Sequence, residues 1–131
     1  KWEVPNWFRF KEGYSMINSH EINEFERAVI EHIIEKEAPK YKKHLPYLLV
    51  DRRENTGSGI YVYFNYSDNP PLFSSENRTI GQSVYAEIES LEGGAGFMLY
   101  IDNGQLTMLE SFSHGLEPWP DHISKFEIQD L

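Results

Sequence analysis

From Phe97 to Glu110 the chain reads Phe-Met-Leu-Tyr-Ile-Asp-Asn-Gly-Gln-Leu-Thr-Met-Leu-Glu, two apolar-rich runs joined by Asn103-Gly104. A two-residue type I′ turn needs positive φ at both central positions, which Asn and Gly tolerate best, so this dipeptide fixes the centre of a β-hairpin. Asp102 then pairs with Gln105. Counting outward sets Ile101 against Leu106, Leu99 against Met108 and Phe97 against Glu110, and period-two alternation puts all six on one face. A chain with this hairpin must cover an apolar sheet face, and that face ends in a carboxylate. Such a carboxylate is costly to desolvate and is expected to be neutral, paired or held for chemistry. Arg52, Arg53 and His114 are the partners the sequence offers Glu110.

The cover for the sheet is visible upstream. Ile22, Phe25, Val29, Ile30, Ile33 and Ile34 recur at helical spacing, with Glu24, Arg27, Glu31 and Glu35 on the opposite side. Asn18 is the expected N-cap, with Glu21 in the N3 position and Ile17 stapled to Ile22, and Pro39 ends the helix at or before Ala38. Residues 1–16 hold Trp2, Trp7, Phe8, Phe10 and Tyr14, too many aromatics for a disordered tail, so this arm is expected to pack on the domain.

Beyond Pro46 the pattern turns to strands: Tyr47 to Arg53, then Gly59 to Tyr66, with Ile60, Val62 and Phe64 on one face and Tyr61 and Tyr63 on the other. Residues 67–81 read as a long loop. Val84, Ala86 and Ile88 alternate with Tyr85, Glu87 and Glu89 in the next strand, the hairpin follows, Phe112 to Asp121 reads as a proline-stiffened loop, and Phe126 and Ile128 mark a last short strand. One α+β domain over residues 1–131 is expected: an aromatic arm and a long helix packed on an antiparallel sheet of about five or six strands.

Composition narrows the function classes. The chain has no cysteine, which removes disulfides, thiolate metal sites and cysteine nucleophiles, and no apolar run of membrane-spanning length, so a cytoplasmic protein is expected. With 21 acidic against 12 basic residues its formal charge is −9, which argues against nucleic acid as a direct ligand and favours basic partners. The Lys40, Lys42, Lys43 and His44 cluster reads as a solvated helix end.

No catalytic motif is specific. The histidines at 20, 32, 44, 114 and 122 are widely spaced, and the second histidine of a zinc-protease helix is missing because position 24 is Glu. Ser111, Ser113 and His114 lie close to Glu110 in sequence without any Gly-x-Ser-x-Gly elbow, and Gly93, Gly94 and Gly96 lead into a strand rather than an anion-binding helix. No catalytic residue, cofactor or metal ligand is assigned. Trp119, between Pro118 and Pro120, reads as a core plug or an interface anchor. Glu87, Glu89, Glu92, Asp102, Glu117 and Asp121 fall on neighbouring strands and loops, where together they would steer a basic protein.

The segment Val84 to Pro120 resembles a group of small, mostly uncharacterised bacterial proteins. The residues that carry the likeness are Tyr85-Ala86-Glu87-Ile88-Glu89, Gly94-Ala95-Gly96-Phe97, Asn103-Gly104, Leu109-Glu110 and Trp119-Pro120, with the Thr56-Gly57-Ser58-Gly59 turn upstream. In size and acidity the chain also resembles the immunity proteins of contact-dependent growth inhibition systems, which bind and neutralise a cognate toxin domain. That resemblance implies a non-catalytic, antitoxin-like protein that covers the active site of a basic toxin domain such as a nuclease. Glu87, Glu89, Glu92, Glu117 and Asp121 would then contact the partner, and Trp119 would anchor it. A small enzyme or ligand-binding domain using Glu110 and His114, with Arg52 as a pairing cation, is the alternative. A homodimer through a sheet edge or the tyrosine-rich face is the third reading.

Overall fold

The structure, a computed structural model, describes residues 20–67, 71 and 75–131. The aromatic arm, Ile17 and Asn18 lie outside the described residues. Helix α1 spans Glu24–Glu37 and begins one motif later than the sequence suggested. Asn23 is its N-cap: the Asn23 side chain accepts the Glu26 N–H at 2.8 Å, and the Glu26 carboxylate accepts the Asn23 N–H at 3.0 Å. This reciprocal pair satisfies two of the donors that a helix start leaves open. Phe25, Val29, Ile30, Ile33 and Ile34 are buried as the stripe predicts, and Ala38 closes the helix before Pro39. Burying each such large side chain stabilises the fold by roughly 1.5–3 kcal/mol relative to leaving it exposed.

A 3-10 stretch, Pro39–Tyr47, leads from α1 into the sheet. Seven antiparallel strands follow: β1 (Leu48–Asn55), β2 (Gly59–Tyr66), β3 (Arg78–Ile80), β4 (Val84–Ile88), β5 (Leu91–Asp102), β6 (Gln105–Ser113) and β7 (Phe126–Asp130). Their spatial order is β1-β2-β6-β5-β4-β7, and β3 pairs with the far half of β5, where Arg78–Ile80 face Leu99–Ile101. The α+β class is therefore as expected. Strand β3 lies inside the stretch read as a loop, and β6 runs two residues into the segment read as a loop after Ser111.

The hairpin turn is as predicted, with Asn103 at φ 52° and Gly104 at φ 72°, Asp102 paired with Gln105 and Ile101 with Leu106. One residue further the register departs from a simple count. Tyr100 pairs with Met108, so Thr107 is an extra residue on β6, a β-bulge. Its hydroxyl lies 2.5 Å from the Asp102 carboxylate. The bulge puts Leu109 opposite Leu99, both fully buried, and Ser111 opposite Phe97. Met98 and Glu110 pair on the other face. Glu110 is thus not at the end of the apolar core face, and the same step carries Met108 off that face.

The core lies between α1 and the inner sheet face. Phe25 is its hub, with ring centroids 6.1 Å from Phe97, 6.3 Å from Trp119 and 5.1 Å from Phe126. At Gly81, with φ +101°, a side chain would meet the Ile33 terminal methyl at 2.9 Å, so this turn needs glycine both for its conformation and for the helix's close approach.

Candidate partner-binding surface

Three of the acidic residues picked from sequence converge. Tyr85, Glu87, Ile88, Glu89, Leu91 and Glu92 come from β4, β5 and their connecting turn, and Lys125, Phe126 and Glu127 from β7 and its approach; together they line a groove of about 440 Å³. Sheet pairing brings them together, because β4 has β5 on one side and β7 on the other. Glu87 and Glu127 are direct cross-strand partners. Like charges placed opposite each other destabilise a sheet by roughly 0.2–1 kcal/mol. The nearest cation in the groove, Lys125, sits 3.8 Å from Glu89, an exposed and weak pairing. Glu127 was missed from sequence; its signal was the same alternation with Phe126 and Ile128 that located the strand.

Glu117 borders this groove but is engaged in the fold. Its carboxylate accepts the N–H groups of Glu92 at 3.0 Å and Gly93 at 3.2 Å, clamping the start of β5 to the turn after β6. Trp119 and Asp121 lie elsewhere, on a second groove of about 430 Å³ between the start of α1 and the 119–124 segment. Trp119 is 7% exposed, tilted against Phe25 in the core, and its backbone N–H donates to Gly57 O at 2.8 Å. The sequence set therefore divides: Glu87, Glu89 and Glu92 share one groove, Glu117 braces its edge, Trp119 and Asp121 belong to another, and Asp102 lies apart from both beside the hairpin turn, where it accepts from the Thr107 hydroxyl.

The residues of the alternative site are not brought together as pairs. Glu110 is half-buried on the outer face and accepts a hydrogen bond of 3.0 Å from the Tyr100 hydroxyl, whose pKa is raised, chiefly by burial and then by that carboxylate. His114 follows in the turn after β6, its ring centroid 5.7 Å from that of Phe112 and its Nε2 beside Gly96. Its imidazole stacks on Tyr85 at 5.6 Å, nearly parallel. Arg52 pairs with Asp51 at 3.1 Å and lies over the Tyr63 ring at 3.8 Å. Arg53 turns to the inner side, its Nε 2.7 Å and its Nη2 2.9 Å from the two oxygens of Glu26, a fork-on-fork pair at the rim of the core. Neither Arg52 nor Arg53 is the partner of Glu110.

The glycine-containing segments singled out in the sequence acquire physical reasons. Gly94, at φ +73°, admits the Tyr85 hydroxyl where a side chain would stand, and a side chain at Gly96 would meet the rings of Phe112 and His114. Ala95 and Phe97 point into the core between them. Gly57, at φ +103°, supplies the carbonyl that holds Trp119. The basic cluster also resolves: Lys40 and Lys42 are exposed, whereas His44 is fully buried, its Nδ1 2.8 Å from the Tyr66 hydroxyl, which accepts the Leu106 N–H at 2.8 Å. Burial, partly offset by a hydrogen bond to the Pro71 backbone, pushes the His44 pKa below the ordinary 6.5 and so favours the neutral ring at neutral pH.

Among the described residues no group of three or more His, Cys, Asp or Glu could hold a metal ion, and no helix is long and apolar enough to cross a membrane. No family model, curated protein or solved structure matches the chain.

Proposed function

We propose that the chain is a non-catalytic immunity protein that binds a basic toxin domain and covers its active site. The observation that carries this reading is the groove of Glu87, Glu89, Glu92 and Glu127, in which two carboxylates face each other across β4 and β7. An arrangement that costs the free protein stability is relieved when a cationic surface enters it, so binding energy and folding strain favour the same complex. A net charge of −9 extends the attraction to longer range and speeds encounter at low salt. A nuclease toxin suits this role, because its active site is built to hold phosphates and a row of carboxylates presents the same sign of charge.

Co-expression tests the proposal. Cells expressing cationic toxin domains from the source genome, each with a pI above about 9, are expected to grow when this protein is supplied and to die without it. Death in every pairing would remove the reading.

A further inference from the structure

The sheet has a second face, turned away from α1. Register places Tyr63, Met108 and Tyr100 in one row across β2, β6 and β5, Tyr61, Glu110 and Met98 in the next, and Phe112 over Gly96 in a third. The large side chains of these rows are all half-buried. Among the described residues their ring contacts are with one another or with their own face: Tyr61 against Tyr63 at 6.2 Å, and His114 between Phe112 and Tyr85.

We infer that this second face is the apolar centre of a protein-docking surface, occupied by the same basic domain that the acidic groove attracts; the inference rests on that functional reading. Tyr85 joins the two regions, since it lines the groove and also stacks on His114, which packs against Phe112. Groove and face are one continuous surface, apolar in the middle and acidic at the end. The composition is that of an interface centre: tyrosine, phenylalanine, methionine and arginine, with no lysine anywhere in β2, β5 or β6. Tyrosines on three strands bonded to neighbours on both sides lose little freedom on binding.

Charge selects the occupant. Within the face, Glu54 accepts from the Tyr63 hydroxyl at 3.2 Å and Glu110 from the Tyr100 hydroxyl at 3.0 Å, which sets carboxylates among aromatic rings. An incoming arginine can lie on a ring and reach a carboxylate at once, as Arg52 already does with Tyr63 and Asp51. A second copy of this chain would instead bring −9 against −9 and set these carboxylates near their own images.

Photo-crosslinking in the source cell tests this, with p-benzoylphenylalanine replacing Tyr61 on the face, Glu89 in the groove, or Glu35 on the exposed side of α1 as control. The expected result is one basic polypeptide linked from Tyr61 and Glu89 and not from Glu35. Purified, that polypeptide is expected to bind the Tyr61→Ser/Phe112→Ser protein about 30-fold more weakly than the unaltered one, mainly through faster dissociation. Wild-type affinity in that variant overturns the inference. If the variant fails to fold, the crosslinks decide alone. Linkage from Glu89 without Tyr61 overturns the docking face and leaves the proposed function standing. A link from Tyr61 to a second copy, to the same chain or to an acidic protein overturns it too. No link from either position removes both readings.

Discussion

Glu26 is a single side chain with two structural duties: it completes the cap of α1 and it receives the Arg53 fork, with only 5% of its surface exposed. Removing it takes the carboxylate from a largely buried guanidinium, which keeps its bond to Glu21 O, and opens the helix start. Glu26→Ala is expected to lower stability by about 3 kcal/mol in urea unfolding. Acid acts through other residues. The Tyr41 hydroxyl at 2.8 Å, then Arg78 at 2.8 Å, hold Glu76 down at a pKa of about 2. A carboxylate depressed in the fold contributes stability above its ordinary 4.5 that is lost as pH falls toward 2. His44, neutral in the fold with a lowered pKa, adds a loss that begins as pH drops below 6.5. Carboxyl NMR of Glu76 is expected to show a midpoint near 2, and a midpoint near 4.5 would contradict this network.

At the scale of elements, the bulge at Thr107 decides what β6 presents to each side. Because Thr107 is the surplus residue, deleting it leaves Leu106 and Leu109 facing inward and Met108 and Glu110 outward, in an unbroken ladder with the same partners. The deletion is expected to fold cooperatively and cost about 1–2 kcal/mol, the worth of the local hydrogen bonds. Loss of the fold would show that the faces are set otherwise. The turn, the strands on either side of it and the helical stripe were legible in sequence, because positive φ and periodicity are local properties. The bulge was not: nothing in Leu-Thr-Met-Leu marks the residue that will go unpaired, and the misplacement of Glu110 follows from that one step. The helix start failed for a related reason. Asn18 to Glu21 and Asn23 to Glu26 are both Asn-x-x-Glu, and the pairing of Glu26 with Arg53 from β1 is a tertiary contact that no local pattern shows. The three-residue β3 is too short to show alternation, and β5 supplies its pairing.

For the molecule as a whole, charge and shape are divided by face. The inner face is closed by α1 and Trp119, whereas the outer one combines tyrosines with an acidic end where Glu87 opposes Glu127. Of the acidic residues singled out from sequence, those on β4, its following turn and the start of β5 were placed together correctly, because strand neighbours can be counted. Trp119 and Asp121 could not be placed that way, since a proline-bounded segment carries no period. Reversing one member of the like-charged pair separates its cost to the fold from its proposed part in binding. Glu127→Lys is expected to raise thermal stability by about 0.5 kcal/mol, read from the melting temperature, while weakening the partner complex.

The most direct measurement is the association rate with a cationic toxin domain whose toxicity the protein suppresses, for the wild type and for Glu87→Lys/Glu127→Lys, at about 50 and about 300 mM salt. Charge-steered docking at the groove predicts that wild-type association slows about tenfold with salt, and that the reversed pair is about tenfold slower at low salt with a flattened salt dependence. Equal rates and equal salt dependence for the two proteins would contradict it.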